Sequence, residues 1–239
     1  MTFPLFVQNK MINSFTAGLL SFLVDGSRTL LLAGTRSSGK TSLLGSLMLE
    51  IIPKYRIIVI EDTLELPVES LRKLKYDILR MKVRSALLKT TTEISADDGI
   101  RTSLRLGDSS LIIGEVRSVE AQALYEAMRV GALANVVAGT IHGASPYGVF
   151  DRVVNDLKVP ATSFKATDII VIANPIKSPD GLHSWKRVVR VSEVRKHWQK
   201  DPLEERGFVD LLKYNVETDT TPPIQKDEGD RNQTFGYGI

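Results

Sequence analysis

Residues 34–41 combine two glycines, a lysine and a threonine at the spacing of a phosphate-binding loop. The glycines of this pattern let the backbone curl, so that successive N–H groups point at a polyphosphate. The lysine would add a positive charge at the β- and γ-phosphates, and the threonine hydroxyl would bind Mg²⁺. The segment predicts a nucleotide site formed by Gly34, Thr35, Arg36, Ser37, Ser38, Gly39, Lys40 and Thr41.

The sequence on either side of this loop supports the same interpretation. Residues 29–33 form a short apolar run suited to a buried strand, and residues 42–51 carry leucines, a methionine and an isoleucine at helical spacing. The pattern therefore predicts strand, loop and helix in that order, which is the context that a phosphate loop needs. The alternative is a Gly/Ser-rich turn that precedes a helix.

Acidic residues follow two further apolar runs. Residues 56–60 lead into Glu61, Asp62 and Glu65, and a second run leads into Glu115. Open α/β sheets bind ligands outside the carboxyl ends of their strands, where carboxylates can bind Mg²⁺ or activate water. Glu115 is the candidate catalytic base, although polar turns would give the same pattern at Glu61.

A fourth apolar run, residues 135–141, delivers His142. A lone histidine is more often structural than catalytic. Its position at the end of a third strand with a polar tip favours a place beside the phosphate loop, together with Glu61 and Glu115.

Arginines within residues 66–105 form a further group of candidates. Apolar residues alternate with Arg80, Lys82 and Arg84, which predicts a strand with a basic face. That face could meet phosphates, nucleic acid or a neighbouring subunit, or it could belong to a solvated edge strand. Arg101 and Arg105 are four residues apart and would point the same way on a helical turn.

The composition indicates one main α/β domain. The chain has 239 residues, 43% of them hydrophobic, and no cysteine, which excludes disulfides, thiolate zinc sites and cysteine nucleophiles. The net charge of +3 is compatible with nucleotide, nucleic acid or a solvated surface. No apolar run is long enough to cross a bilayer, and the start lacks the features of a signal peptide, so we expect an unexported protein without a transmembrane segment.

The expected organisation has three parts. Residues 1–13 are expected to be an irregular extension or linker, residues 14–215 the folded domain, and residues 216–239 a disordered acidic and polar tail. Within the domain, a helix over residues 14–24 should bury Phe15, Leu19, Phe22 and Leu23. Runs at 167–173 and 186–194 predict two further strands, the second an antiparallel edge strand, and residues 208–214 could close the fold.

Taken together, the motifs resemble the secretion ATPase superfamily of type II and type IV secretion and pilus assembly, and within it the archaeal GspE-like group. The phosphate loop is followed by an "aspartate box" at residues 60–65, a Walker B segment at 112–117 and a "histidine box" at 139–143. Two departures from the family pattern are residues 106–110, before Walker B, and Gly143, where alanine is usual. The similarity covers about residues 14–215, the family's C-terminal motor domain. The family's N-terminal domain is expected to lie outside this sequence, and without cysteine the sequence cannot form the four-cysteine zinc insert of bacterial type II members.

The resemblance implies a RecA-like core that hydrolyses ATP with Mg²⁺ as a homo-hexamer. It also implies a cytoplasmic location at the inner face of the membrane, through a membrane platform protein of a secretion or pilus apparatus. Carried over to this sequence, the resemblance implies that Lys40 and Thr41 bind phosphate and metal. It implies metal binding by Asp62 and Glu65, and a catalytic role for Glu61, Glu115 and His142. Arginines that could face phosphate or a neighbouring subunit are Arg80, Arg101, Arg105 and Arg117.

Other functions remain open at this stage. A nucleic-acid motor would share the core, but aromatic residues are only 7% of the chain and are not interleaved with basic ones, so nucleic acid is not the expected partner. A GTPase is disfavoured because neither Asn-Lys-x-Asp nor Asp-x-x-Gly occurs. A scaffold that binds nucleotide with weak activity is a further alternative.

Overall fold

The computed structural model describes residues 1–83, 95–103, 105–107, 109–118, 120–130, 135–178 and 180–224. Within these ranges, the strands of one sheet are β1 (Thr29–Gly34), β2 (Arg56–Glu61), β3 (Ile78–Lys82), β4 (Ser109–Ile113), β5 (Val137–His142), β6 (Ile169–Lys177), β7 (Ser184–Val194) and β8 (Phe208–Lys213). The helices are α1 (Phe3–Gln8), α2 (Ser14–Asp25), α3 (Lys40–Glu50), α4 (Val68–Lys73), α5 (Ala96–Ser103), α6 (Glu120–Val130), α7 (Pro146–Asp151), which continues as a π-helical turn (Arg152–Asp156), and α8 (Ala161–Phe164).

The sheet is mixed, with the order β3-β2-β4-β5-β1-β6-β7-β8. The first six strands in this order are parallel, and β7 and β8 are antiparallel. This confirms the predicted fold class, a mostly parallel sheet flanked by helices with antiparallel C-terminal strands. No helix in the described part of the chain has the length and apolar character that a bilayer crossing requires.

Continuous apolar runs form the central strands because both faces of the sheet are covered. Residues 30–33 of β1 and 57–60 of β2 are at most 2% exposed. One core lies between the sheet and helices α1, α2 and α3, and a second lies on the opposite face against α5, α6 and α7. The central strands are therefore fixed from both sides.

The register brings the polar strand ends to one edge. Gly34, the last residue of β1, pairs with His142 of β5 on one side and with Ala173 of β6 on the other. On the next pair of strands, Ile60 of β2 lies beside Ile113 of β4. Since these strands are parallel, the residues that follow them meet at the carboxyl edge of the sheet.

The first thirteen residues are not irregular, contrary to expectation. They contain helix α1, which buries Phe3 and Phe6. Met11 is 4% exposed, and its carbonyl accepts a hydrogen bond of 2.8 Å from the N–H of Val188 on β7. The segment packs onto the core because its apolar residues cover the face beside α3.

Helix α2 was predicted correctly, but its buried face was predicted only in part. Leu23 is buried as expected, whereas Phe15 and Phe22 are 55% and 72% exposed and Leu20, which was not predicted, is buried. Apolar residues occur on both sides of this helix, so periodicity alone could not choose the face. Packing against the core made that choice.

The segment after β8 is ordered and in contact with the domain as far as residue 224, whereas disorder was expected from residue 216. Nε and Nη2 of Arg187 on β7 donate to the two oxygens of the Asp219 carboxylate, at 2.7 and 2.8 Å, and the Tyr214 hydroxyl donates to it at 2.9 Å. Farther along, Thr221 is 4% exposed. Residues 225–239 lie outside the described ranges, and the domain limits at 13 and 215 stay predictions.

The Arg187–Asp219 pair predicts a pH-dependent contribution to stability. Hydrogen bonds from Arg187 lower the pKa of Asp219 from its ordinary 3.8 to about 2. Because the folded-state pKa is the lower one, the contribution is present above pH 3.8 and is lost as the pH falls through about 2. Asp219 is 40% exposed, so Asp219→Asn should lower the free energy of unfolding at pH 7 by only about 1 kcal/mol.

Urea unfolding of wild type and Asp219→Asn between pH 7 and pH 2.5 would measure this difference. Asparagine tolerates the left-handed backbone at this position (φ 47°), so the variant tests charge rather than strain. Exposed Glu217→Gln serves as the control and should show no such difference. A gap between wild type and Asp219→Asn that stays constant as the pH falls would contradict the assignment.

Candidate functional site

The backbone of residues 34–41 has the shape that a phosphate loop requires. A Cβ atom on Gly34 would lie 1.9 Å from the Ala173 carbonyl oxygen, so only glycine fits at the end of β1. Gly39 has φ +92°, in the left-handed region, and α3 begins at the next residue, Lys40. The amino end of α3 therefore opens into the loop, where free N–H groups and the helix dipole favour an anion.

Side chains complete this cradle. The Lys40 ammonium donates to the carbonyl oxygens of Gly34 and Thr35, at 3.1 and 2.8 Å. Burial lowers the pKa of Lys40, and the charge of Glu115 partly opposes this shift. The Ser38 hydroxyl is buried without a hydrogen-bond partner among the described residues. A buried lysine and an unsatisfied hydroxyl at a helix amino end fit a bound phosphate.

Asn174, which the sequence analysis missed, supports the loop from β6. Its side-chain oxygen accepts the Thr35 N–H at 3.3 Å. The sequence feature that could have identified Asn174 is its position as a polar residue after the apolar run of β6. The same feature identified His142 and Glu115. It was overlooked because β6 was expected to end at residue 173.

A cluster of charged groups faces the loop from β2, β4 and β5. The Nε2 atom of His142 lies 3.0 Å from Oε1 of Glu115. Arg117 bonds to Oε2 of Glu115 and lies 3.3 Å from Oδ2 of Asp62. The hydrogen bond to Glu115 raises the pKa of Arg117. The structure thus brings together Glu115, His142, Arg117 and Asp62, and the charge of Glu115 acts on Lys40 across the loop.

The position of Glu61 does not favour the catalytic role that the sequence suggested. Its side chain is 1% exposed, and Oε1 accepts the N–H groups of Glu65 and Leu66 at 2.9 and 2.8 Å. Oε2 lies 3.3 Å from Nε of Arg80, which also donates to the Leu66 carbonyl. Oε1 therefore holds the turn after β2, whereas Oε2 faces Arg80 without a hydrogen bond. This buried position suits a structural role better than a catalytic one, and the role of Glu61 in catalysis stays a prediction.

This contact also revises the interpretation of Arg80. It is 16% exposed and is not on a solvated basic face. Arg101 is paired with Asp97 and Glu126, and Arg105 lies exposed after α5. Among the described residues, no hydrogen bond or ion pair joins either arginine to the phosphate loop. Arg84, the alternative to Arg80, lies outside the described residues.

The candidate metal ligands are only partly brought together. Thr41 and Glu65 line one cavity of about 260 Å³ beside the first turn of α3. Asp62 instead pairs with Arg117. In the described part of the chain, no three acidic or histidine side chains form a metal site. This donor set suits Mg²⁺, which commonly uses one or two protein ligands together with phosphate oxygens and water.

With the fold and this geometry in view, comparison with known proteins identifies the family. Residues 6–200 match the sequence profile described as "Type II/IV secretion system protein". The chain belongs to this family. The match confirms the resemblance that the phosphate loop, the acidic strand ends and the histidine suggested.

Two curated relatives illustrate the similarity within the type II/IV secretion family. An uncharacterized protein of Methanocaldococcus jannaschii is 28% identical over 203 residues, which is 84% of this chain and 70% of the relative. VirB11 of Agrobacterium fabrum is 28% identical over 195 residues, which is 82% of this chain and 54% of VirB11. The chain therefore spans only about half the length of VirB11.

Two ATPases of known structure share the fold. The Brucella suis VirB11 ATPase of the type IV secretion system, crystallised with sulphate, has a TM-score of 0.60 and 21% identity, over 75% of this chain and 52% of VirB11. The Legionella pneumophila ATPase DotB has a TM-score of 0.55 and 16% identity, over 71% of this chain and 46% of DotB. At these identities the similarity establishes the fold alone.

The buried Glu61–Arg80 pair generates a stability prediction. Arg80→Met should destabilise the protein by about 3 kcal/mol, because it leaves the Glu61 charge buried without its partner. Adding Glu61→Gln should recover part of this loss, since no buried charge then remains. Urea unfolding of the two single variants and the double variant measures the coupling.

The matched control for this cycle is Arg56→Met, which breaks an exposed pair with Asp77. Arg56→Met should lower the free energy of unfolding by less than about 1 kcal/mol. Equal losses for Arg80→Met and Arg56→Met would show that burial does not make the Glu61–Arg80 pair more important for stability than an exposed pair.

Proposed function

We propose that this chain is a Mg²⁺-dependent ATPase motor domain that powers protein secretion or the assembly of a type IV pilus-like filament. The observation that carries the proposal is the contact between Glu115 and His142 at the carboxyl ends of β4 and β5, with His142 in register with Gly34 of the phosphate loop. A candidate base and an imidazole thus lie at the strand ends beside the phosphate cradle. Family membership, and the fact that the similar structures are those of ATPases, support the same reaction.

Each residue has a definite proposed task in ATP hydrolysis. The Lys40 ammonium, now bonded to loop carbonyls, turns to the β- and γ-phosphates. Glu115 accepts a proton from the attacking water as the new oxygen–phosphorus bond forms and the bond to ADP breaks. The imidazole of His142, held by Glu115, lies where it can report the presence of the γ-phosphate.

When bound, Mg²⁺ would neutralise charge on the phosphates, with Thr41, Asp62 and Glu65 as its candidate ligands. Arg101 and Arg105 are exposed, so their proposed place is at a neighbouring subunit of a homo-hexamer. The proposed location is the cytoplasmic face of the inner membrane, on a platform protein of the apparatus. The archaeal GspE-like subgroup also remains a proposal, because the relatives include archaeal and bacterial proteins.

The second candidate function is a nucleic-acid-translocating motor of the conjugation type. A relative described as a putative conjugal transfer protein of Mycobacterium tuberculosis is 27% identical over 135 residues, which is 56% of this chain. Stimulation of ATP hydrolysis by DNA would favour this candidate. Unchanged turnover over a range of DNA concentrations would favour the secretion motor.

Lys40→Ala tests the nucleotide site. The variant should lose phosphate binding and ATP turnover, because it removes the buried cation of the loop. Turnover and solution mass should be measured for both proteins with and without Mg-ATP. Exposed Lys54→Ala is the matched control and should hydrolyse ATP like the wild type.

Nucleotide-dependent hexamers with Lys40-dependent turnover would support a self-sufficient motor. A monomer that binds ATP with little turnover would mean that a further domain or a partner completes the site. Turnover that persists in Lys40→Ala would refute the proposed site.

Glu115→Gln tests the proposed base. The amide keeps the shape of the side chain but cannot accept the proton, so kcat should fall by about 100-fold or more. Binding of a fluorescent ATP analogue should persist. Exposed Glu204→Gln is the control, and a kcat that survives Glu115→Gln would remove Glu115 from this role.

A further inference from the structure

Both oxygens of the Glu115 carboxylate are already bound in this structure. Oε1 lies 3.0 Å from His142, and Oε2 bonds to Arg117. The same guanidinium reaches across to Asp62, at 3.3 Å. Arg117 therefore bridges two carboxylates that follow neighbouring strands, β4 and β2.

This bridge conflicts with the work proposed for both carboxylates. A general base needs an oxygen that can accept a proton from water, and a metal ligand needs an oxygen that faces the cation. Arg117 holds one oxygen of Glu115 and one of Asp62, so its positive charge competes with water and Mg²⁺ for these two oxygens.

We propose that Arg117 is a resting-state latch that withholds Glu115 and Asp62 until nucleotide and Mg²⁺ displace it. This inference rests on the proposed ATPase function and adds a regulation of the same site. Arg117 acts through the two carboxylates, so it is a positioning residue rather than a catalytic one.

The exposure of Arg117 suits a reversible latch. Its side chain is 45% exposed, against 22% for Asp62 and 18% for Glu115. Exposed ion pairs are weak, so a divalent cation competes with the guanidinium for Asp62 at modest cost. The planar guanidinium can bond to two carboxylates at once, which the single ammonium group of a lysine does less well.

The first test measures binding rather than activity. Binding of a fluorescent ATP analogue is titrated with Mg²⁺ for the full chain, as wild type and as Arg117→Ala. Because the cation no longer competes with Arg117, the Mg²⁺ concentration for half-maximal binding should fall about two- to fivefold, the range expected for an exposed pair. In the Asp62→Asn background, Arg117→Ala should produce no such shift.

The second test separates kcat from KM. Arg117→Ala should raise kcat by about two- to fivefold, with a smaller change in KM, because the base is released before hydrolysis. The kcat of Arg117→Lys should lie between those of Arg117→Ala and the wild type. Arg56→Ala is the matched control, since Arg56 is 46% exposed and pairs with Asp77 at the opposite end of β2.

Thermal melting within a few degrees of the wild type would show that Arg117→Ala still folds. The latch is refuted if Arg117→Ala leaves the Mg²⁺ dependence unchanged or lowers kcat. If wild-type hydrolysis does not depend on Lys40, the proposed function fails, but the Mg²⁺ titration still tests the latch. If hydrolysis depends on Lys40 and Arg117→Ala changes neither quantity, the latch alone fails.

Discussion

The parallel pairing of β1 between β5 and β6 is the constraint on which the site depends. It places Gly34 between His142 and Ala173, so close to the Ala173 carbonyl that a side chain could not be accommodated. The chain leaves the sheet there as a tight loop and enters α3 at Lys40. The cradle and the imidazole are thus placed by backbone pairing rather than by long side chains.

The carboxylates around this edge are divided between structure and chemistry. Glu61, which ends β2, is buried, accepts two backbone N–H groups at Oε1 and forms an ion pair with Arg80 at Oε2. Asp62, the next residue, and Glu115 remain partly exposed and share Arg117. Strand β2 ends at Glu61 and the chain bends at Asp62, so the two adjacent acids reach different environments.

Sequence patterns were sufficient where composition and spacing determine the structure. The apolar runs gave the central strands, and the glycine, lysine and threonine spacing gave the loop. Sequence patterns were not sufficient where the role of a residue depends on the residues that it contacts in the fold. Glu61 and Asp62 are similar acids in sequence, and their contacts distinguish them: Arg80 and backbone N–H groups for Glu61, and Arg117 for Asp62. In the same way, two apolar sides of α2 left Phe15 and Leu20 indistinguishable until packing chose between them.

The amino-terminal segment has a consequence for the order of folding. The Met11 side chain packs against Gly39 of the phosphate loop, 3.1 Å from where a Cβ atom would lie. The nearby Asn9 carbonyl accepts a hydrogen bond from Arg187, which is 178 residues away in sequence. Asn13 likewise donates to the Thr221 carbonyl across 208 residues. Such distant contacts are slow to form, because a long loop must close before they are gained. The phosphate loop is translated early, but the contacts that hold residues 9–13 beside it need β7 and the segment after it. A nascent chain therefore carries the nucleotide motif well before the site is complete.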